Sequence, residues 1–206
     1  LVPELVSCFG SCLLIKMAYR RRTSGNAHIP DAGAALLVCN QVSLVDSLVI
    51  MSASPRPVRC VMDHRIFRTP LLSYIFRHSG AIPIASAKED AALMEKAFAE
   101  VSRALKNGEL VAIFPEGSLT YDGEMQTFRP GVTRILEADP VPVVPMALSG
   151  LWGSYFSRID GGVMKKPFRR GFFSTISLRV GAPQAPADAT PENLQNTVLA
   201  LRGELR

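Results

Sequence analysis

Six short apolar runs, rich in β-branched residues, punctuate this chain: "AALLVC" (34–39), "VRCVM" (58–62), "AIPI" (81–84), "LVAIF" (110–114), "VVPMAL" (143–148) and "STISLRV" (174–180). Several are apolar throughout and do not alternate, which is the pattern of strands buried on both faces. Helical patterns lie between them. The clearest is "EDAALMEKAFAEVSRALKNG" (89–108), where Met94, Ala97, Phe98, Val101 and Leu105 recur at helical spacing. Acidic residues open it and Asn107-Gly108 close it. Residues 43–53, 70–78, 131–138 and 191–205 are weaker helix candidates, and 182–191 reads as a loop leading into the last. Strands that alternate with helices predict an α/β fold, a single domain with a largely parallel or mixed central sheet flanked by helices. The 206 residues suffice for one such core.

The N-terminal segment has a different character. "LVSCFGSCLLI" (5–15) is apolar but only eleven residues long, whereas a membrane span needs about 20. Apolar positions at 2, 5, 6, 9, 12, 13 and 17 instead predict an amphipathic helix lying in a membrane interface. A signal peptide fits poorly, because the positive charges follow the apolar stretch. With the basic block Arg20, Arg21 and Arg22, residues 1–28 form an expected membrane-associating segment, and 29–206 the main domain. The leucine start suits a chain cut from a longer one.

A second basic block, Lys165, Lys166, Arg169 and Arg170, is interleaved with Phe168, Phe172 and Phe173, and the net charge is +5. A block of this kind is ordinarily a solvated face. Cations beside exposed aromatics also suit an anionic membrane surface, at about 1 kcal/mol per charge. No nucleic-acid motif accompanies the charge, so nucleic acid is not an expected partner. Cys8, Cys12, Cys39 and Cys60 form no CxxC pair and read as reduced thiols of an intracellular protein. His28, His64 and His78 lack metal-ligand spacing, so no metal is expected.

Two polar patches follow predicted strands: "NQVSLVD" (40–46) after Cys39, and "PEGSLTYDGE" (115–124) after Phe114. Chemistry in α/β folds gathers at such strand ends, and neighbouring strands would bring the two together. The first patch resembles the NHxxxxD block of the glycerolipid acyltransferase family, and "FPEGSLT" (114–120) resembles its FPEGTRS block. "FRPG" (128–131) is similar to the family's Phe-basic-x-Gly stretch, and "VPVVP" (141–145) to its Val-Pro-x-Val-Pro block. "GAIPI" (80–84) occupies the place between the first two, so the resemblance covers residues 29–181 in order.

The resemblance implies transfer of a fatty acyl chain from acyl-CoA or acyl-carrier protein to the free hydroxyl of a lysophospholipid, lysophosphatidic acid or lysophosphatidylethanolamine. The family's histidine removes the hydroxyl proton and an aspartate orients it. Gln41 and Asp46 occupy those two catalytic positions. Glutamine has no usable basicity at neutral pH, and loss of general-base catalysis costs about 10²–10⁴-fold. The chain is therefore expected to bind its lipids but turn over slowly. A natural pseudoenzyme that binds lysolipid or acyl chains without turnover is the alternative, and a basic domain that docks on membranes without chemistry is another.

Asn40, Ser43, Glu116, Gly117, Ser118, Arg129 and Gly131 are the implied substrate-binding residues. Leu119 stands where many members carry a phosphate-gripping arginine, with Arg129, Lys88 or Arg134 as candidate substitutes and Arg129 the best placed. This, with "LWGSYFSR" (151–158), looks most like members that re-acylate lysophosphatidylethanolamine, some joined to a membrane transporter or acyl-activating domain. Trp152, Tyr155 and Phe156 read as core packing or as an interfacial belt. No cofactor is implied, because the thioester carries the activation. A peripheral location on the cytoplasmic face of the inner membrane follows from the same resemblance.

Overall fold

The apolar runs at 34–39, 110–114 and 143–148 become the middle of a sheet, where both faces are covered, and the short run at 81–84 forms an edge strand. The computed structural model describes residues 20–43, 45–68, 70–118, 120, 123–150 and 175–203. Their strands are β1 (Arg20–Ser24), β2 (Ala35–Cys39), β3 (Val58–Asp63), β4 (Ile82–Ile84), β5 (Leu110–Ile113), β6 (Val143–Ser149) and β7 (Thr175–Val180). They form one sheet in the order β1-β7-β6-β2-β5-β3-β4. Strands β6, β2, β5, β3 and β4 pair parallel. β7 runs antiparallel to β6, and β1 lies parallel to β7. The sheet is thus mixed and largely parallel, as the alternating pattern predicts.

Period-two geometry then sorts side chains into two cores. From β2, Ala35, Leu37 and Cys39 enter one core and Leu36 and Val38 the other. The first core is closed by α1 (Asp46–Ala53) and by Phe76 of α2 (Pro70–His78). The second is closed by α3 (Ala87–Lys106), α4 (Gly131–Ala138) and α5 (Pro191–Arg202), through Ala97, Val101, Val132, Ile135, Leu194 and Val198. α1 is buried on almost every side. That explains its weak helical signal in the sequence, because a helix surrounded by protein needs no polar stripe.

The clearest helix read from the sequence, 89–108, is seen as Ala87–Lys106. Asp90 leaves helical geometry and its Oδ1 accepts the Leu93 N–H at 2.9 Å, a side-chain cap. At the other end Gly108 adopts φ 75° and the Glu109 N–H bonds Ala104 O at 3.0 Å, a left-handed stop.

The basic block at 20–22 is part of the sheet: it forms edge strand β1, in register with Thr175–Arg179 of β7. The sheet therefore includes residues on the N-terminal side of the boundary expected at 28. Backbone pairing explains this, since an edge strand needs ladder bonds and no apolar run. Arg21 is further tied down, its Nη1 donating to Ser52 Oγ of α1 at 2.6 Å, while Arg22 is exposed. The amphipathic helix read at 2–17, the aromatic-basic block at 165–173 and Trp152, Tyr155 and Phe156 lie outside the described residues. Among the described residues no helix is long and apolar enough to cross a membrane.

Cys39 and Cys60 are buried, free thiols. Phe76 is fully buried beneath α2, so Phe76→Ala should cost about 3–5 kcal/mol. Urea denaturation monitored by circular dichroism measures this as a lowered midpoint.

Candidate active site

β2 and β5 are adjacent and parallel, so the patches that follow them emerge side by side at the same edge of the sheet. Three buried polar side chains, Asn40, Asp46 and Glu116, hold them in place. Asn40 continues β2 by side chain: its Nδ2 donates to Leu148 O at 2.9 Å and its Oδ1 accepts the Leu148 N–H at 2.7 Å. The amide thus acts as one more rung against β6, and the chain is free to turn away from the sheet.

Asp46 opens α1 and folds back on that turn. Its Oδ2 accepts the N–H groups of Val42 at 2.6 Å and Ser43 at 2.9 Å. Its Oδ1 is equally buried and has no hydrogen-bond partner. One oxygen of this carboxylate shapes the loop while the other is held ready for a donor. The half-buried Gln41 side chain does not supply one.

Glu116 joins the two patches. Its Oε1 accepts the Gln41 N–H and its Oε2 the Gln126 N–H, both at 2.6 Å. The residues read as a distant pair therefore meet, with positions 41, 46 and 116 converging on one turn. Asn40, Ser43 and Glu116 are all buried, and the amide of Asn40 and the carboxylate of Glu116 brace the site through backbone groups. Gln126 carries no motif signal and was missed.

The exposed part of the corner is Gly117, with half-buried Ser118 and exposed Arg129 beside it. Gly117 has φ 67°, a conformation that favours glycine. Its bare Cα also makes room: a methyl there would meet the Arg129 guanidinium at 3.0 Å. Arg129 is anchored by its own N–H to Pro115 O at 2.9 Å. Arg134 is engaged elsewhere, paired with Glu95 at 2.5 Å and stacked 4.1 Å over Phe98. Lys88 is exposed at the start of α3. Gly131 sits in the first turn of α4, where an added methyl would make only an ordinary 3.8 Å contact with Phe98.

Burial governs the electrostatics. It raises the Asp46 carboxyl to about 8, against the pull of the Ser43 and Val42 N–H groups, and the nearby Glu116 charge raises it further. Burial likewise raises Glu116 to about 7, opposed by the N–H groups of Gln126 and Gln41 and by Arg202. Folded-state values above the ordinary carboxylate range mean that the folded chain binds extra protons between about pH 4 and pH 8. The stability these groups confer is complete below that window and lost as pH rises through 7 to 8. Melting temperature should therefore fall from pH 6 to pH 8.5, and Asp46→Asn, whose amide oxygen still accepts both turn N–H groups, should flatten the decline. Paired calorimetric melts across that range measure the difference.

The sequence profile of the family described as Acyltransferase matches residues 20–149, well over half of the chain. The chain is 32% identical over 118 residues to the 1-acyl-sn-glycerol-3-phosphate acyltransferase of Cocos nucifera, covering 56% of this chain and 37% of that protein. It is 22% identical over 127 residues to the enzyme of that name from Borreliella burgdorferi, covering 61% and 49%. It thus spans between about a third and a half of the length of these curated relatives. The crystal structure of the 1-acyl-sn-glycerophosphate (LPA) acyltransferase from Thermotoga maritima shares the fold, with a TM-score of 0.71 and 20% identity over 96% of this chain and 76% of that one. The matched segment holds both strand ends, the Glu116 bridge and the Arg129 corner, and this chain belongs to the acyltransferase family.

Proposed function

We propose that the chain is the acyl-transfer domain of a lysophospholipid O-acyltransferase whose turnover is suppressed by Gln41. The acceptor hydroxyl attacks a thioester carbonyl; its oxygen bonds to the acyl carbon, the carbon–sulfur bond breaks, and the proton ends on the departing thiol. That attack needs a base at the hydroxyl. The observation that carries the reading is the vacant, buried Oδ1 of Asp46 beside the turn that contains position 41. An imidazole at 41 would have an N–H to give it, which would set the tautomer and leave the other ring nitrogen free as the base. A glutamine amide has nothing to accept the proton, and Asp46, raised to about 8, is a buried group already committed to the turn.

The acceptor phosphate belongs, in this reading, beside Arg129, which lies over Gly117 and forms no ion pair among the described residues. With Leu119 in place of an arginine, a phosphate that carries a head group suits this corner as well as a terminal phosphate does. A lysophospholipid acceptor resides in a bilayer, so peripheral attachment to a membrane surface is part of the same proposal.

Gln41→His is the direct test, assayed with lysophosphatidic acid and lysophosphatidylethanolamine against acyl-CoA and acyl-carrier protein. Transfer should rise by about 10²–10⁴-fold with at least one pair. A restored protein inert on every pair would overturn the assignment and leave lipid binding without turnover. In the restored protein, Arg129→Met should raise the acceptor KM about tenfold or more while kcat changes little, the pattern of a lost binding contact.

A further inference from the structure

The corner at Glu116 is held from a part of the chain that lies beyond the family match. α5 is a rigid platform. Thr190 caps it by accepting the Asn193 N–H at 3.2 Å, Pro191 occupies its first turn, and Leu194 and Val198 are fully buried beneath it. Gln195 and Arg202 are seven residues apart, two turns along one face. Both reach the loop 123–128. Gln195 Oε1 accepts the Phe128 N–H at 3.0 Å. Arg202 donates from Nη1 to Gly123 O at 3.3 Å and from Nη2 to Glu124 Oε2 at 3.0 Å. Thr120 closes the same loop, its Oγ1 donating to Glu124 O at 2.7 Å and accepting the Gly123 N–H at 3.0 Å. Between the two anchor points lies Gln126, whose N–H holds one oxygen of Glu116, while the other oxygen holds the backbone of Gln41.

We infer that Gln195 and Arg202 are positioning residues of the site, acting through the 123–128 loop and Glu116 on the backbone at position 41. A buried arginine could serve stability alone; its place here adds a second action. Arg202 is 8% exposed, and its positive charge favours the ionised form of Glu116. The ionised carboxylate accepts both N–H groups more strongly than the neutral acid, whose hydroxyl oxygen is the poorer acceptor. The clamp is therefore mechanical and electrostatic at once. Its effect on turnover rests on the acyl-transfer reading; the clamp itself does not.

The test begins with the unaltered chain, so that it is independent of catalysis. Amide shifts of Gln41 and Gln126, followed by NMR from pH 5 to pH 9, should share a midpoint near the Glu116 value of about 7. Arg202→Met should move that midpoint upward by about half a unit or more. Arg202→Lys keeps the charge but loses the fork. It should leave the midpoint in place while speeding hydrogen exchange at Gln126 about tenfold. Gln195→Ala should speed exchange at Phe128 and leave the midpoint unmoved. A folded Arg202→Met with unchanged midpoint and exchange overturns the inference. If that variant does not fold, unchanged exchange in Arg202→Lys does so. In the Gln41→His protein, Arg202→Met should lower kcat more than it raises KM, and shift the acid limb of the kcat–pH profile upward. An inert Gln41→His protein with the amide results intact would sink the acyl-transfer reading and leave the clamp standing.

Discussion

Everything at this site depends on carboxylates accepting backbone N–H groups where water is excluded. Asp46 takes two N–H groups from the turn it follows, and Glu116 takes one from each of two loops. A buried N–H left without a partner costs about 1–3 kcal/mol, so these four bonds decide the path of the chain between the strands and the helices that follow. Hydrogen bonds to an ionised acceptor are roughly twice as strong as neutral ones. The cost appears as desolvation, which lifts both carboxyl groups into the neutral range. The site is thus built from carboxyl groups whose ionisation is opposed by burial.

The turn at 41 is held without help from the side chain at that position. None of the four bonds involves the side chain at 41; they involve its backbone and its neighbours. The Oδ1 of Asp46 stands apart from these bonds, buried and without a partner, whereas natural proteins seldom leave a buried acceptor unpaired.

Much of the fold was legible because β2 and β5 are apolar at every position and β6 at all but its last, Ser149, which suits strands covered on both faces. β1 was not legible: "RRRTS" has the composition of a surface arm, and nothing local announces a strand whose stabilisation is a backbone ladder. Asp46 and position 41 were linked through the resemblance of "NQVSLVD" to the family's block. Glu116 was found, but its bonds to the Gln41 and Gln126 backbone were not, because a carboxylate looks the same in sequence whatever donors it meets. Gln126, Gln195 and Arg202 were beyond reach. They belong to no motif, and the last two make their bonds across 67 and 78 residues of chain.

Asn40 carries a consequence of its own. One amide both gives a proton to Leu148 and takes one from it, so the position demands a side chain with a donor and an acceptor at this reach. Aspartate would set a carboxylate oxygen against the Leu148 carbonyl, and glutamine would overshoot by a methylene. The first residue of the turn is therefore chosen by the sheet, and the loop above inherits the stiffness of the innermost strands. Chemistry at this corner is free to change only from the next residue onward.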